Sequence, residues 1–191
     1  MIRELELRDL PYMYEWMHDE SVTANLQADF ASFSMEKVEN FIKGAMEQTD
    51  ESENLHYAIV DEEDNYMGTI SLKNINRKDK NAEYAIVTRA IAHGKGYAAL
   101  ATKDILRVAF ERLGLEKVYL YVSTNNIGAN KFYKKCDFVE EGVFRKHLMI
   151  NGKLDNIRWY SMLKEEFKYP PLQLPRFLHR RSKSCPLHFP S

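Results

Sequence analysis

No apolar run in this 191-residue chain approaches the ~18 residues that a bilayer-spanning helix needs, so a membrane-spanning role is not expected. Cysteine is scarce: Cys136 and Cys185 are the only two and form no CxxC pair, which points to reduced thiols and a cytoplasmic setting. The N-terminal Met1-Ile2-Arg3-Glu4-Leu5-Glu6 alternates charged and apolar residues and lacks the hydrophobic stretch of a secretory signal. An excess of one charge sign is missing as well. With 27 Lys and Arg against 28 Asp and Glu, the molecule offers no electrostatic case for nucleic acid or an anionic membrane. Six scattered histidines lack zinc spacing, and no metal is expected. Five of the six prolines fall after Phe167. What remains is an ordinary globular composition, 45% apolar and 29% charged, long enough for one α/β domain with its own core.

Periodicity orders the elements. Ile2 to Leu7 alternates as a strand, and Asp9 is placed to cap a helix carrying Pro11 in its first turn, with Leu10, Met13, Tyr14 and Met17 on one side. A loop from Asn25 to Phe33 leads to a second helix, N-capped by Ser34, with Met35, Val38, Phe41, Ile42 and Ala45 inward. His56 to Val60, a turn at Asp61 to Asn65, and Tyr66 to Leu72 read as an antiparallel pair. The polar stretch Asn74 to Lys80 then turns the chain into a third strand, Ala82 to Val87. A glycine-rich loop opens a helix with Ala101, Ile105, Val108 and Ala109 inward and Gly114 as its C-cap. Lys117 to Val122 is expected as a parallel neighbour of the third strand, because a helix joins them. Asn126 to Lys135 forms a short helix, and Phe138 to Tyr160 a hairpin turning at Asn151-Gly152.

Residues 1–167 are therefore expected to form one domain. Residues 168–191 combine prolines with Lys168, Arg176, Arg180, Arg181 and Lys183 and contain no acid. Such a tail is expected to be extended or disordered, either a non-functional extension or a basic arm for a partner.

His93-Gly94-Lys95-Gly96-Tyr97-Ala98 lies between a strand and a helix. Paired glycines let backbone N–H groups approach an anion, the helix N-terminus adds partial positive charge, and Lys95 can add a full one. A phosphate or pyrophosphate is the natural guest; a tight turn with no ligand is the alternative. Gly94-x-Gly96-x-x-Ala99 also fits the dinucleotide fingerprint. That fold needs an acid at the end of the following strand, where this chain has Ser123-Thr124-Asn125-Asn126, and it needs a βαβ series where this chain has a meander.

The segment Glu83 to Leu106 resembles the acetyl-CoA-binding motif of the GCN5-related N-acetyltransferases, the GNAT family. Asn126-Ile127-Gly128-Ala129-Asn130-Lys131-Phe132-Tyr133 resembles the family's asparagine-to-tyrosine helix, and Asp137 to Gly142 its next strand. Arg8-Asp9-Leu10 with Trp16, and Asn151-Gly152-Lys153 followed by Asp155 and Tyr160, resemble the branch with ribosomal-protein alanine and spermidine acetyltransferases. The resemblance covers about residues 2 to 165. Three residues before the first glycine, where the family usually has Gln or Arg, stands Ile91, with Arg89 two residues earlier. Asp137 stands where the family favours Gly, and Asp tolerates the left-handed conformation expected there.

The resemblance implies a GNAT-type α/β fold: a mixed, mostly antiparallel sheet with helices on both faces. It implies acetyl-CoA as co-substrate, with the pantetheine arm along Tyr84 to Thr88 (Ala85, Ile86 and Val87 among them). The phosphates then meet Arg89, His93, Gly94, Lys95, Gly96, Tyr97 and Ala98, and Asn126 meets the pantetheine. An ammonium acceptor must lose a proton before attack, and Glu83 is the candidate base; its alternative is a strand carboxylate in a salt bridge or facing solvent. A backbone N–H near Ala85 to Val87 is placed to stabilise the developing oxyanion. Tyr133 is the candidate donor to the leaving thiolate, its alternative a core residue beside Phe132. Cys136 reads as buried filler ahead of nucleophile.

The acceptor is expected to be a primary amine: a small-molecule amine such as a polyamine, an amino sugar, or a peptide N-terminus. The acids Glu47, Asp50, Glu51, Glu53 and Asp61 to Asp64, with no Lys or Arg between Gly44 and Leu72, form either a field that attracts a cation or solvated turn surface. A homodimer is compatible with the resemblance, as is a catalytically silent acetyl-CoA-binding module.

Overall fold

A computed structural model describes residues 1–168 apart from Asn25, Gln27, Ala28 and Asn151. The chain runs β1 (Ile2–Glu4), α1 (Leu10–Met17), α2 (Glu20–Thr23), α3 (Met35–Met46), β2 (Leu55–Val60), β3 (Tyr66–Asn76) and β4 (Asn81–Thr88). It continues through α4 (Tyr97–Arg107), β5 (Lys117–Ser123), α5 (Ile127–Lys135), β6 (Val139–Ile150) and β7 (Lys153–Leu163). The seven strands form one sheet in the order β1-β2-β3-β4-β5-β7-β6, and β4–β5 is its parallel pair. The parallel pairing follows from connectivity: α4 crosses over between the two strands, whereas short turns join β2 to β3 and β3 to β4.

Both faces of the sheet are covered, so β2 is buried along nearly its whole length instead of alternating. Tyr57, Ile59, Ile70, Leu72, Tyr84, Val118 and Leu120 pack with Ala101, Ile105 and Ala109 of α4 and the π-helical turn that follows it. Ala58, Val60 and Tyr66 project to the other face and meet Met13, Trp16 and Met17 of α1 and Val38, Ile42 and Ala45 of α3. Among the described residues no helix is long and apolar enough to cross a membrane.

Several sequence expectations are modified. Met35 and Phe41 are exposed, because they lie at the margins of the narrow α3 stripe Val38–Ile42–Ala45. Ser34 does cap that helix, its Oγ accepting from Lys37 N at 3.2 Å. Asp9 does not cap α1 through its side chain. Its buried carboxylate is held by the Arg3 guanidinium fork, two bonds of 2.8 Å, and accepts from Glu6 N at 2.9 Å, tying β1 to the turn before the helix. The stretch after α1 contains α2, capped by Asp19 accepting from Ser21 N at 2.9 Å. β3 runs past Leu72 to Asn76 through a bulge where Asn74 has φ 50°. Gly114 ends the long helical run at φ 65°, and Asp137 is left-handed at φ 64° as the sequence requires. Of the last turn, Gly152 has φ 74° and Asn151 lies outside the described residues, as does the chain from Tyr169 onward.

Candidate functional site

β4 and β5 pair only at their beginnings, from Asn81 opposite Lys117 to Glu83 opposite Tyr119. Beyond that point β4 stays with β3 as far as Thr88 opposite Gly68, while β5 stays with β7 as far as Ser123 opposite Ile157. The two strands therefore diverge, and a groove of about 980 Å³ passes through the wedge. The β4 edge from Ala85 through Ile86 and Val87 to Thr88 lines it with backbone that no β5 ladder uses.

At one mouth the loop after β4 supplies His93, Gly94, Gly96 and Ala98. Gly94 at φ 74° and Gly96 at φ 86° occupy a region that a side chain would strain, and Gly96 is the N-cap of α4. The first amides of that helix lack intrahelical acceptors and point out of its end. Tyr84 hydroxyl and Thr102 Oγ1 are hydrogen-bonded at 2.7 Å, docking α4 onto β4 beside the loop. Asn126 lies in the wall and caps α5, its Oδ1 accepting from Ala129 N at 3.1 Å, which leaves its Nδ2 for a ligand.

Strand alternation divides the two candidate catalytic residues. Glu83 is on the face that carries α1 and α3, while Tyr133, on α5, packs against Tyr84, Phe138 and Tyr160 of the opposite face. Both reach the groove. Glu83 is buried, and both its oxygens are engaged: Lys73 Nζ donates to Oε1 at 2.8 Å and Asn74 Nδ2 to Oε2 at 2.9 Å. The β3 bulge aims Asn74 at it. Glu83 is thus ion-paired and in the groove wall at once. The Tyr133 hydroxyl has no hydrogen-bond partner among the described residues, and burial pushes its pKa up, so it stays a neutral donor. Burial pushes the half-buried Cys136 thiol up to about 11, which keeps it protonated at neutral pH and unsuited to nucleophilic attack.

Three predicted cofactor residues stand apart from the wall. The Arg89 guanidinium is held by the Glu15 carboxylate at 2.9 and 3.0 Å and by the Tyr66 carbonyl at 3.0 Å, so it joins β4 to α1 instead of turning into the groove. Lys95 is exposed on the loop, and Tyr97, the first residue of α4, packs partly buried against the core. The acidic cluster is also absent from the groove. Asp64 pairs with Arg3 and Arg8, Asp50 with Arg112 and Glu51 with Arg77, while Asp61 accepts from the amides of Glu63 and Asn65 within its own turn.

Sequence reasoning overlooked Lys73, Asn74, Lys103 and Lys135. Lys103 lies on α4 one helical turn beyond Ala99, and Lys135 on α5 one turn beyond Phe132; Ala99, Lys103, Phe132 and Lys135 line the groove, a spacing that could have flagged both lysines. Lys73 and Asn74 had no comparable signal.

A mostly antiparallel sheet opened by such a wedge, with a glycine loop and helix N-terminus at its mouth, is the architecture of the acyl-CoA-dependent N-acyltransferases. The chain belongs to the GNAT acetyltransferases: the family model described as acetyltransferase (GNAT) domain matches residues 1–139. It is similar to a spermidine N(1)-acetyltransferase of Vibrio cholerae, 31% identical over 111 residues, 58% of this chain and 64% of that protein. It is also similar to the putative ribosomal N-acetyltransferase YdaF of Bacillus subtilis, 31% identical over 101 residues, 53% of this chain and 55% of that protein. The matched stretches thus span a little over half to just under two thirds of those relatives. The crystal structure of the Vibrio cholerae spermidine N-acetyltransferase in complex with CoA and spermine superposes with a TM-score of 0.78 at 24% identity. That superposition covers 87% of this chain and 96% of the other, a likeness of fold.

Proposed function

We propose that this protein transfers an acetyl group from acetyl-CoA to a primary amine by direct attack within a ternary complex. The observation that carries the reading is the wedge itself: one groove reaches a helix N-terminus behind a glycine loop and strand backbone outside the β4–β5 ladder, and presents a carboxylate on one sheet face and a neutral phenol on the other. When bound, acetyl-CoA supplies an activated acetyl thioester. The amides at Gly94 to Ala98, with Lys103 and Lys135 in the adjoining wall, suit its phosphates. The unladdered edge Ala85–Val87 and Asn126 Nδ2 suit the amide groups of its pantetheine.

Glu83 takes a proton from the acceptor ammonium, directly or through a water, with Lys73 and Asn74 holding its orientation. The freed nitrogen forms its bond to the thioester carbon as the carbon–sulfur bond breaks. Tyr133 donates a proton to the departing sulfur, and the second proton that the nitrogen releases as the amide forms restores the phenol through water. The pairing of Glu83 with Lys73 also favours a second reading, a silent acetyl-CoA-binding module whose carboxylate is purely structural.

Melting curves with acetyl-CoA and with NAD, followed by thiol release against a panel of amines, test both. A ligand at ~100 times its dissociation constant adds about 2.7 kcal/mol, a clear upward shift expected for acetyl-CoA alone. Thiol release that depends on an added amine is expected. Binding without turnover on any amine would support the silent module, and no shift with acetyl-CoA would overturn both readings.

A further inference from the structure

The acceptor half of the groove is poorly suited to a polycation. Among the described residues Glu83 is the only carboxylate in the wall, and the ammonium of Lys73 already neutralises it at 2.8 Å. Lys103 and Lys135, the remaining wall lysines, belong to α4 and α5, on the side assigned above to an anionic cofactor. Among the described residues the rest of the acceptor half is largely apolar: Val22, Leu26 and Phe30, from α2 and the segment after it, line it together with Leu148, Ile150 and Ile157 of the β6–β7 hairpin. Elsewhere, Asp9 and Asp64 are bound to Arg3, Asp64 also to Arg8, Glu51 to Arg77 and Asp50 to Arg112.

We propose that the acceptor is an amine bearing a single positive charge on an apolar body, and that the Lys73–Glu83 pair selects it against polyamines. The inference rests on the acetyltransferase reading above. The reacting ammonium is the one cation for which Glu83 can exchange its partner, and it surrenders its charge on doing so. A second ammonium on the same molecule would lie against apolar side chains with no free carboxylate, and would be repelled by Lys73. An apolar body removes the surface of those six side chains from water.

Steady-state thiol release measures kcat/KM for phenethylamine, for a short peptide amide with N-terminal phenylalanine, and for spermidine. In the parent protein at least one of the two apolar acceptors is expected to exceed spermidine by on the order of tenfold. Which of them does so identifies a free amine or a peptide N-terminus as the source. Lys73→Met releases a negative charge to the acceptor and should move the ratio about tenfold toward spermidine. Taking the ratio of two acceptors in one variant cancels any change in the common proton transfer. The parent ratio stands as a test even if the variant does not fold. Spermidine as the better acceptor of the parent, or a ratio unmoved by Lys73→Met, overturns the inference while leaving the acetyltransferase reading intact. Absence of amine-dependent thiol release with all three overturns that underlying reading instead.

Discussion

Replacing Asn130 with leucine removes a side chain whose oxygen and nitrogen are each used twice. Its Oδ1 accepts from Arg158 Nη1 at 2.8 Å and from the Tyr160 hydroxyl at 3.0 Å. Its Nδ2 donates to the Ser123 carbonyl at 2.8 Å and to the Asn126 carbonyl at 2.7 Å. The residue is only 5% exposed, so water cannot readily take over these bonds. At about 1 kcal/mol for each lost bond the four come to roughly 4 kcal/mol. Added apolar burial offsets part, leaving a net loss of about 3 kcal/mol.

Urea unfolding measures this as a lower midpoint with an unchanged slope. The two carbonyls belong to the end of β5 and the cap of α5, the corner that sets Asn126 and Tyr133 beside the groove, so acetyl-CoA affinity should fall as well. Asn130→Asp keeps both acceptors but turns a carboxylate oxygen toward the Ser123 and Asn126 carbonyls, so it should destabilise as well and not rescue the corner. A leucine variant within about 0.5 kcal/mol of the parent would refute the idea that this network holds the corner.

Tyr133→Phe keeps the ring contacts with Tyr84, Phe138 and Tyr160 and removes only the donor; melting temperature and acetyl-CoA affinity should hold while turnover drops about 10²-fold. Glu83→Gln should slow the reaction at neutral pH and lose less as the pH nears the amine's own pKa of about 10, whereas a pH–rate profile overlaying the parent's returns Glu83 to a structural role. His56 is held down to about 4 by burial and then by the nearby Lys73 charge. Between that value and about 6.5 the unfolded chain binds a proton that the folded one does not, so stability should fall as pH drops through this window and level off below it, by at most about 3 kcal/mol. Urea midpoints of His56→Gln should lack this component, and equal acid limbs for parent and variant would refute it. Gly68→Ala places a Cβ against the Val87 carbonyl and Thr88 Cα, forcing β3 and β4 apart where β4 lines the groove; a loss of about 1–3 kcal/mol with weaker acetyl-CoA binding is expected, checked by unfolding and titration.

The elements and many of the residues that line the groove were legible because their signals are local. Gly94 and Gly96 announce a left-handed turn wherever they occur before a helix, and both adopt one. Asn126 has the chemistry of a helix cap and acts as one. The spacing from Asn126 to Tyr133 spans about two helical turns, so both return to the groove side of α5. The order of strands about the crossover helix follows from connection length, which is again read along the chain.

Charge partners were not legible, since a side chain's nearest counter-ion is set by register and docking. Arg89 lies close in sequence to the phosphate loop but is captured by Glu15, 74 residues away, once α1 packs on the sheet. Glu51 and Asp64 look like part of a free field until β1, the turn before α1 and the turn after β3 bring Arg3, Arg8 and Arg77 to them. Lys73 and Asn74 meet Glu83 only through the β3–β4 register and its bulge. By itself the sequence determined which segments fold and where a left-handed glycine turn opens a helix, because propensity, capping and glycine geometry act over a few residues. The tertiary structure alone decided which charges face the groove, because Coulomb pairing depends on distance in space and not along the chain.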